Sequence, residues 1–201
     1  MKHLSATLLA AALIAAPAAA QVTGAGTVRC GDYGEPHADM PEEFDQFAFM
    51  IGDFDVAVRN WDGEADAWGE PLYHARWNGY YGMDGRAIID EWFDPGYGYR
   101  PESGAGINVR IYDETAGLWK TAWHYTSNNE VRELHQEVRE DGYLWLWQVY
   151  PEVAERDIHF EQYGPDHWGR VTRIADPETG APVNSRLLDA VRAECPAAAE
   201  R

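Results

Sequence analysis

Between Phe44 and Ile174 the chain alternates apolar and polar residues in short runs, and turn residues separate the runs. A period of two marks a strand with one face buried. The runs AFMIGDFDVAVRNW, LYHARWNGYYG, RAIIDEWF, INVRIYD, LWKTAWHYT, VRELHQEVR, YLWLWQVY, DIHFEQY and HWGRVTRI each read as a strand. Their connections are tight: Met83-Asp84-Gly85, Glu114 to Gly117, Asn128-Asn129, Glu140-Asp141-Gly142 and Gly164-Pro165-Asp166. Strands joined this closely pair with their sequence neighbours and run antiparallel. The predicted fold class is all-β, an antiparallel up-and-down barrel of about 8-10 strands, because closure removes both exposed edges.

The pattern changes at both ends. Residues 176-201 begin with the loop DPETGAPVN. Then SRLLDAVRAE sets Leu187, Leu188 and Val191 at helical spacing behind Asn184 or Ser185 as N-cap. This predicts a short C-terminal helix ending near Cys195. Residues 21-43, rich in Gly, Pro and Asp, read as an irregular leader to a barrel domain over 44-175. Residues 1-20 have a basic start, an apolar run from Leu8 to Ala16, and Ala18 and Ala20 where a signal peptidase reads. They are read as a signal peptide, so the mature chain is expected in the periplasm or secreted. No later run reaches the ~20 apolar residues of a membrane helix.

Turn geometry assigns faces. A two-residue turn at Asn128-Asn129 opposes Trp123 to Leu134, Thr121 to Gln136 and Trp119 to Val138. The other face then holds Lys120, His124, Glu133, His135 and Glu137. A two-residue turn at Asp141-Gly142 opposes Val138 to Trp145, Gln136 to Trp147 and Leu134 to Val149. Both turns put the tryptophans on one apolar surface, which points into the barrel. If the segment from Glu114 to Gly117 is a four-residue loop, Tyr112 opposes Trp119, Arg110 opposes Thr121 and Asn108 opposes Trp123. One residue more or less reverses that parity and turns Ile107, Val109 and Ile111 inward; the inward Arg110 is preferred. With a turn at Asp84-Gly85, Trp77 opposes Trp92 and Glu91 opposes Asn78, while Asp90 and Glu91 point to opposite faces.

The inward set is then Asn108, Arg110, Tyr112, Trp119, Thr121, Trp123, Gln136, Trp145 and Trp147. A few polar groups converging among aromatic side chains describe a small-molecule pocket. The ligand expected is a small lipophilic or aromatic molecule, and an inward Arg favours an anionic or carbonyl-bearing group on it. Two other readings use the same barrel. One is an enzyme acting on a small lipophilic substrate, with Arg110 or Glu91 polarising it. The other is an interaction module whose barrel is filled, since a barrel of this size can be packed solid. His124, Glu133 and His135 have metal-ligand chemistry, but they share a charged outer face with Lys120 and Glu137, so no metal site is assigned. No cofactor is implied, and no GxSxG, phosphate loop or HExxH spacing occurs.

Charge and cysteine refine this picture. A formal charge of −18 argues against nucleic acid as a partner. The two cysteines, Cys30 and Cys195, are expected to form a disulfide in an oxidising compartment, tying the leader to the C-terminal tail.

Several stretches together carry a resemblance: Phe49-Met50-Ile51-Gly52-Asp53-Phe54-Asp55-Val56, Gly85 to Trp92, Asn108 to Asp113 and Gly117 to Trp123. Their order resembles a family of bacterial proteins of uncharacterised function, often exported, with a lipocalin-like (calycin) β-barrel. Gly52-Asp53-Phe54 also resembles the lipocalin Gly-x-Trp motif, with Phe for Trp. The resemblance spans about residues 44 to 170. It implies a barrel with a cavity and no particular reaction.

Overall fold

The computed structural model describes residues 30–31, 33–94, 104–126, 128–153 and 157–195; the expected signal peptide lies outside them. Ten antiparallel strands close into one barrel: β1 (Gly52–Asp62), β3 (Tyr73–Gly82), β4 (Ala87–Phe93), β5 (Ala105–Asp113), β6 (Leu118–Tyr125), β7 (Glu130–Val138), β8 (Leu144–Tyr150), β9 (Asp157–Gly164), β10 (His167–Ala175) and β11 (Pro182–Arg192). Each strand pairs with its sequence neighbour, and β11 returns to β1. The short β2 (Ala67–Trp68) folds back on the end of β1, where Trp61 and Trp68 meet edge to face.

The alternation expected from the sequence sets the inner face. Phe54, Val56 and Val58 of β1, Ala75 and Trp77 of β3, and Ile88 and Trp92 of β4 point inward and are buried. Pairing of Trp77 with Trp92, Asn78 with Glu91, Arg110 with Thr121 and Asn108 with Trp123 follows the predicted registers. The preferred parity of β5 holds: Arg110 is buried and Ile111 is exposed.

Four expectations need correction. The C-terminal helix is a strand. Residues 182–192 pair with β10 on one side and β1 on the other, with Leu188 and Ala190 inward. The barrel therefore runs through Arg192 rather than stopping at 175. Two strand edges with unpaired peptide groups outweigh a weak helical spacing. Ala48, Phe49 and Met50, read as the start of the first strand, are instead the last turn of a 3-10 helix, Glu42–Met50. The β6–β7 register slips by two residues, with Tyr125 opposite Glu130 and Trp119 opposite Gln136; an even slip keeps every side chain on its predicted face.

The β7–β8 register slips by one. Val138 pairs with Leu144, and the loop holds five residues rather than a two-residue turn, closed by Gly142 N–H donating to the Arg139 carbonyl. An odd slip exchanges the faces. Leu144 and Leu146 enter the core, while Trp145 and Trp147 move to the outer face beside His159 and His135.

The two barrel ends differ. The 3-10 helix plugs one end with Phe44, Phe47 and Met50, all buried. Phe44 and Phe47 each lie 4.9 Å from the Trp119 ring, and Trp119 Nε1 donates to Gln46 Oε1 at 3.0 Å. Gly79 is required beneath this plug, because a Cβ there would collide with the Met50 carbonyl. The expected disulfide is not formed in this structure: Cys30 and Cys195 are exposed free thiols outside this end. They are neighbours: a hydrogen bond between them is the largest influence pushing Cys30 up to about 11, followed by burial. Among the described residues no helix is long and apolar enough to cross a membrane.

Candidate functional site

The unplugged half of the barrel is a cavity of about 870 Å³. Inward positions nearest the mouth supply its walls: Trp77, Trp92, Trp123, Tyr125, Leu134 and Leu146. Trp77 and Trp92 meet edge to face at 6.4 Å, and Trp123 stacks on Tyr125 at 5.7 Å. Gly106, directly before this wall on β5, lets the Trp123 ring lie across the strand; a Cβ would overlap that ring. The cavity also reaches a side slot. Among the described residues β8 and β9 pair over Leu144–Phe160, Trp145–His159 and Leu146–Ile158, and beyond these pairs Gln148, Glu152 and Val153 border the opening.

The floor is polar and deeply buried. Asp90, Asn108 and Arg110 are inward on adjacent strands β4 and β5, each at most 5% exposed. Arg110 Nη1 donates to Asp90 Oδ2 at 2.5 Å, and Asn108 Nδ2 donates to Asp90 Oδ1 at 2.6 Å. The guanidinium also lies 5.0 Å from the Phe47 ring and 5.9 Å from Trp77, so the plug packs against the back of the site. Burial pushes the Asp90 carboxyl up to about 6, against the opposing pull of Arg110 and Asn108. Burial likewise lowers Arg110, with Asp90 opposing. These directions belong to a desolvated pair whose attraction only partly offsets the loss of water.

A second arginine, Arg170, enters the cavity from β10, opposite Phe160 and Leu188. Burial first, then repulsion from Arg110 and Arg186, lowers it to about 10, with attraction from Asp90 opposing although the two share no hydrogen bond. At the mouth Arg132 forms a fork with Glu130, at 2.5 and 2.7 Å, and Arg186 lies on the rim.

The residues predicted from sequence divide into three groups. Asn108, Arg110 and Trp123 line the cavity. Tyr112, Trp119, Thr121 and Gln136 are on the inner face but belong to the plugged half. There Tyr112 packs on Trp119, and the Thr121 hydroxyl donates to Gln136 Oε1 at 2.8 Å. Trp145 stands outside, and Trp147 borders the cavity only where β8 and β9 part. Glu91 faces outward and accepts from the Tyr80 hydroxyl at 3.3 Å, which removes it as an inward base. On the outer face His124 is exposed opposite Val131, His135 contacts Glu133 at 3.1 Å, and Lys120 pairs with Asp113 rather than Glu137.

Sequence reasoning missed Asp90, Trp77, Trp92, Arg170 and Arg186. Asp90 shares the parity of Ile88 and Trp92, and Arg170 shares that of Trp168; that signal was sufficient to place both inside.

No protein-family model matches the chain, and no curated protein matches it. Among solved structures the chain is similar to the S-type phycobiliprotein lyase CPES from Guillardia theta, with 14% identity and a TM-score of 0.46. The match covers 76% of this chain and 93% of that one.

Proposed function

We propose that this protein is an exported barrel that holds a small, partly apolar molecule in its open half. An anionic or carbonyl-bearing group of that molecule faces the arginine-bearing floor. The observation that carries this reading is the cavity itself: tryptophan walls above a floor containing Arg110 and Arg170, in a volume typical of ligand pockets. Packing is complete only at the plugged end, which disfavours a filled interaction module. The test is tryptophan fluorescence of the mature chain against a panel of lipophilic aromatic acids, ketones and alcohols. Saturable quenching at micromolar concentration supports the reading, and unchanged emission across the whole panel overturns it.

One observation favours a second reading, an enzyme of the same cavity. Asp90 is an inward carboxyl that burial pushes up to about 6. Such a group can exchange a proton with a bound carbonyl compound. Both Asp90 oxygens are engaged by Asn108 and Arg110, which favours binding over turnover. Proton NMR of 4-phenyl-2-butanone in D2O decides between them. Exchange at the α-carbon that disappears in Asp90→Asn supports the enzyme, and exchange at the buffer rate removes it.

A further inference from the structure

Resting on the binding reading above, we infer that Arg170, not Arg110, is the anion-recognition residue of the cavity, and that the ligand is an apolar body carrying a single carboxylate.

The floor's charges are unevenly matched. Asp90 is the acid of the floor, and it is fully committed: one oxygen accepts from Arg110 and the other from Asn108. Arg110 is thereby neutralised. Arg170 has no hydrogen-bond or ion-pair partner among the described residues, and its Nε–H is buried and unpartnered. A guanidinium placed so is costly unless something of opposite charge completes it.

The wider lining repeats the imbalance. Five arginines line the cavity against two glutamates and the floor's Asp90, although the whole chain carries −18. Arg132 is matched by Glu130, Arg139 lies over the outer rings of Trp145 and Trp147, and Arg186 is exposed at the rim. Arg170 is therefore the partly buried cation left to a guest. An acidic chain that holds two arginines, Arg110 and Arg170, inside its barrel against one carboxylate favours an anion there and repels it elsewhere.

Among the other unpartnered groups near the floor, donors outnumber acceptors. The Nε–H groups of Trp77 and Arg110 are buried donors, and Asn108 Oδ1 is a buried acceptor, without a partner among the described residues. Donors in excess call for acceptor oxygens on the ligand, and a carboxylate supplies two. One unmatched guanidinium balances one negative charge, which favours a monocarboxylate over a phosphate monoester. The tryptophan and leucine walls require the rest of the molecule to be apolar.

The probes are 1-pyrenebutyric acid, 1-pyrenebutanol and 1-pyrenebutyl phosphate, which share one apolar body. Binding to the mature chain is read by energy transfer from tryptophan at pH 7.5. The acid is expected to bind at least about tenfold tighter than the alcohol, and tighter than the phosphate. In Arg170→Gln the acid should fall to the affinity of the alcohol, while the alcohol changes by less than about twofold. Arg170→Lys keeps the charge and should keep most of the preference, which guards against a folding defect in the glutamine variant. Equal binding of acid and alcohol by the wild type overturns the inference, as does a preference that survives in Arg170→Gln. Tighter phosphate binding overturns the single-carboxylate assignment. If none of the three binds, the cavity reading itself falls.

Discussion

Asp90 and Arg110 are alike in burial, and each depends on the other for its partner. Removing Arg110 leaves a carboxylate alone in a dry site, so Arg110→Met should lower the unfolding free energy by roughly 3–5 kcal/mol at pH 7 in urea titrations. Asp90→Asn keeps the volume but leaves Arg110 without its counter-charge and turns an amide N–H toward one of the two donors, so it should also destabilise at pH 7. The pH dependence follows from burial, which raises the folded carboxyl from 3.8 to about 6. The folded state then binds more protons than the unfolded chain between about pH 4 and pH 6. Wild-type stability relative to Asp90→Asn should therefore grow as pH falls through that window. Denaturation midpoints of both proteins at pH 4, 5, 6 and 7 check this, and a gap that shrinks on acidification would be the wrong sign. At this scale the sequence was only partly legible. Arg110 could be placed because the loop from Glu114 to Gly117 fixes its partner by length alone. Alternation was enough to put Asp90 inside, but not to give its role, because its partners Asn108 and Arg110 lie on another strand.

Among the elements, β11 matters most to the account. It supplies the second partner of β1 and places Leu188 and Ala190 in the core. Leu188→Ala should cost about 2–5 kcal/mol, as for other buried leucines. Leu188→Pro should open the barrel, because it removes a peptide donor between two paired strands. Circular dichroism with thermal unfolding checks both; a folded proline variant would show that closure through β11 is dispensable. The strands before β11 were legible because their turns were short and their alternation was clean. The last strand was not, since Leu187, Leu188 and Val191 satisfy a helical spacing equally well. Trp145 and Trp147 were misplaced for a different reason. A face assignment carries across a hairpin only if the loop length is right, and the loop from Arg139 to Tyr143 has an odd number of residues.

At the scale of the whole molecule the barrel is divided by function. One end is packed by the aromatic plug of the 3-10 helix, and the other is left to the cavity. The two thiols sit beyond the plug, where a bridge would tie the chain before β1 to the chain after β11 without crossing the mouth. In an exported protein the pair would transfer two electrons and two protons to a thiol-oxidising disulfide of that compartment. Non-reducing peptide mapping of protein taken from the cell envelope should recover Cys30 and Cys195 in one linked peptide. Two free thiols there would leave this compartment assignment without support. The same division predicts that ligands enter the mouth and leave the plug undisturbed.

The most direct measurement is anomalous diffraction from crystals grown with 4′-bromobiphenyl-4-carboxylic acid. A bromine peak is expected inside the barrel, between the walls formed by Trp92 and Trp123, with the carboxylate toward Arg170. A bromine found only on the outer face, or none in the cavity at a saturating concentration of the acid, would contradict it.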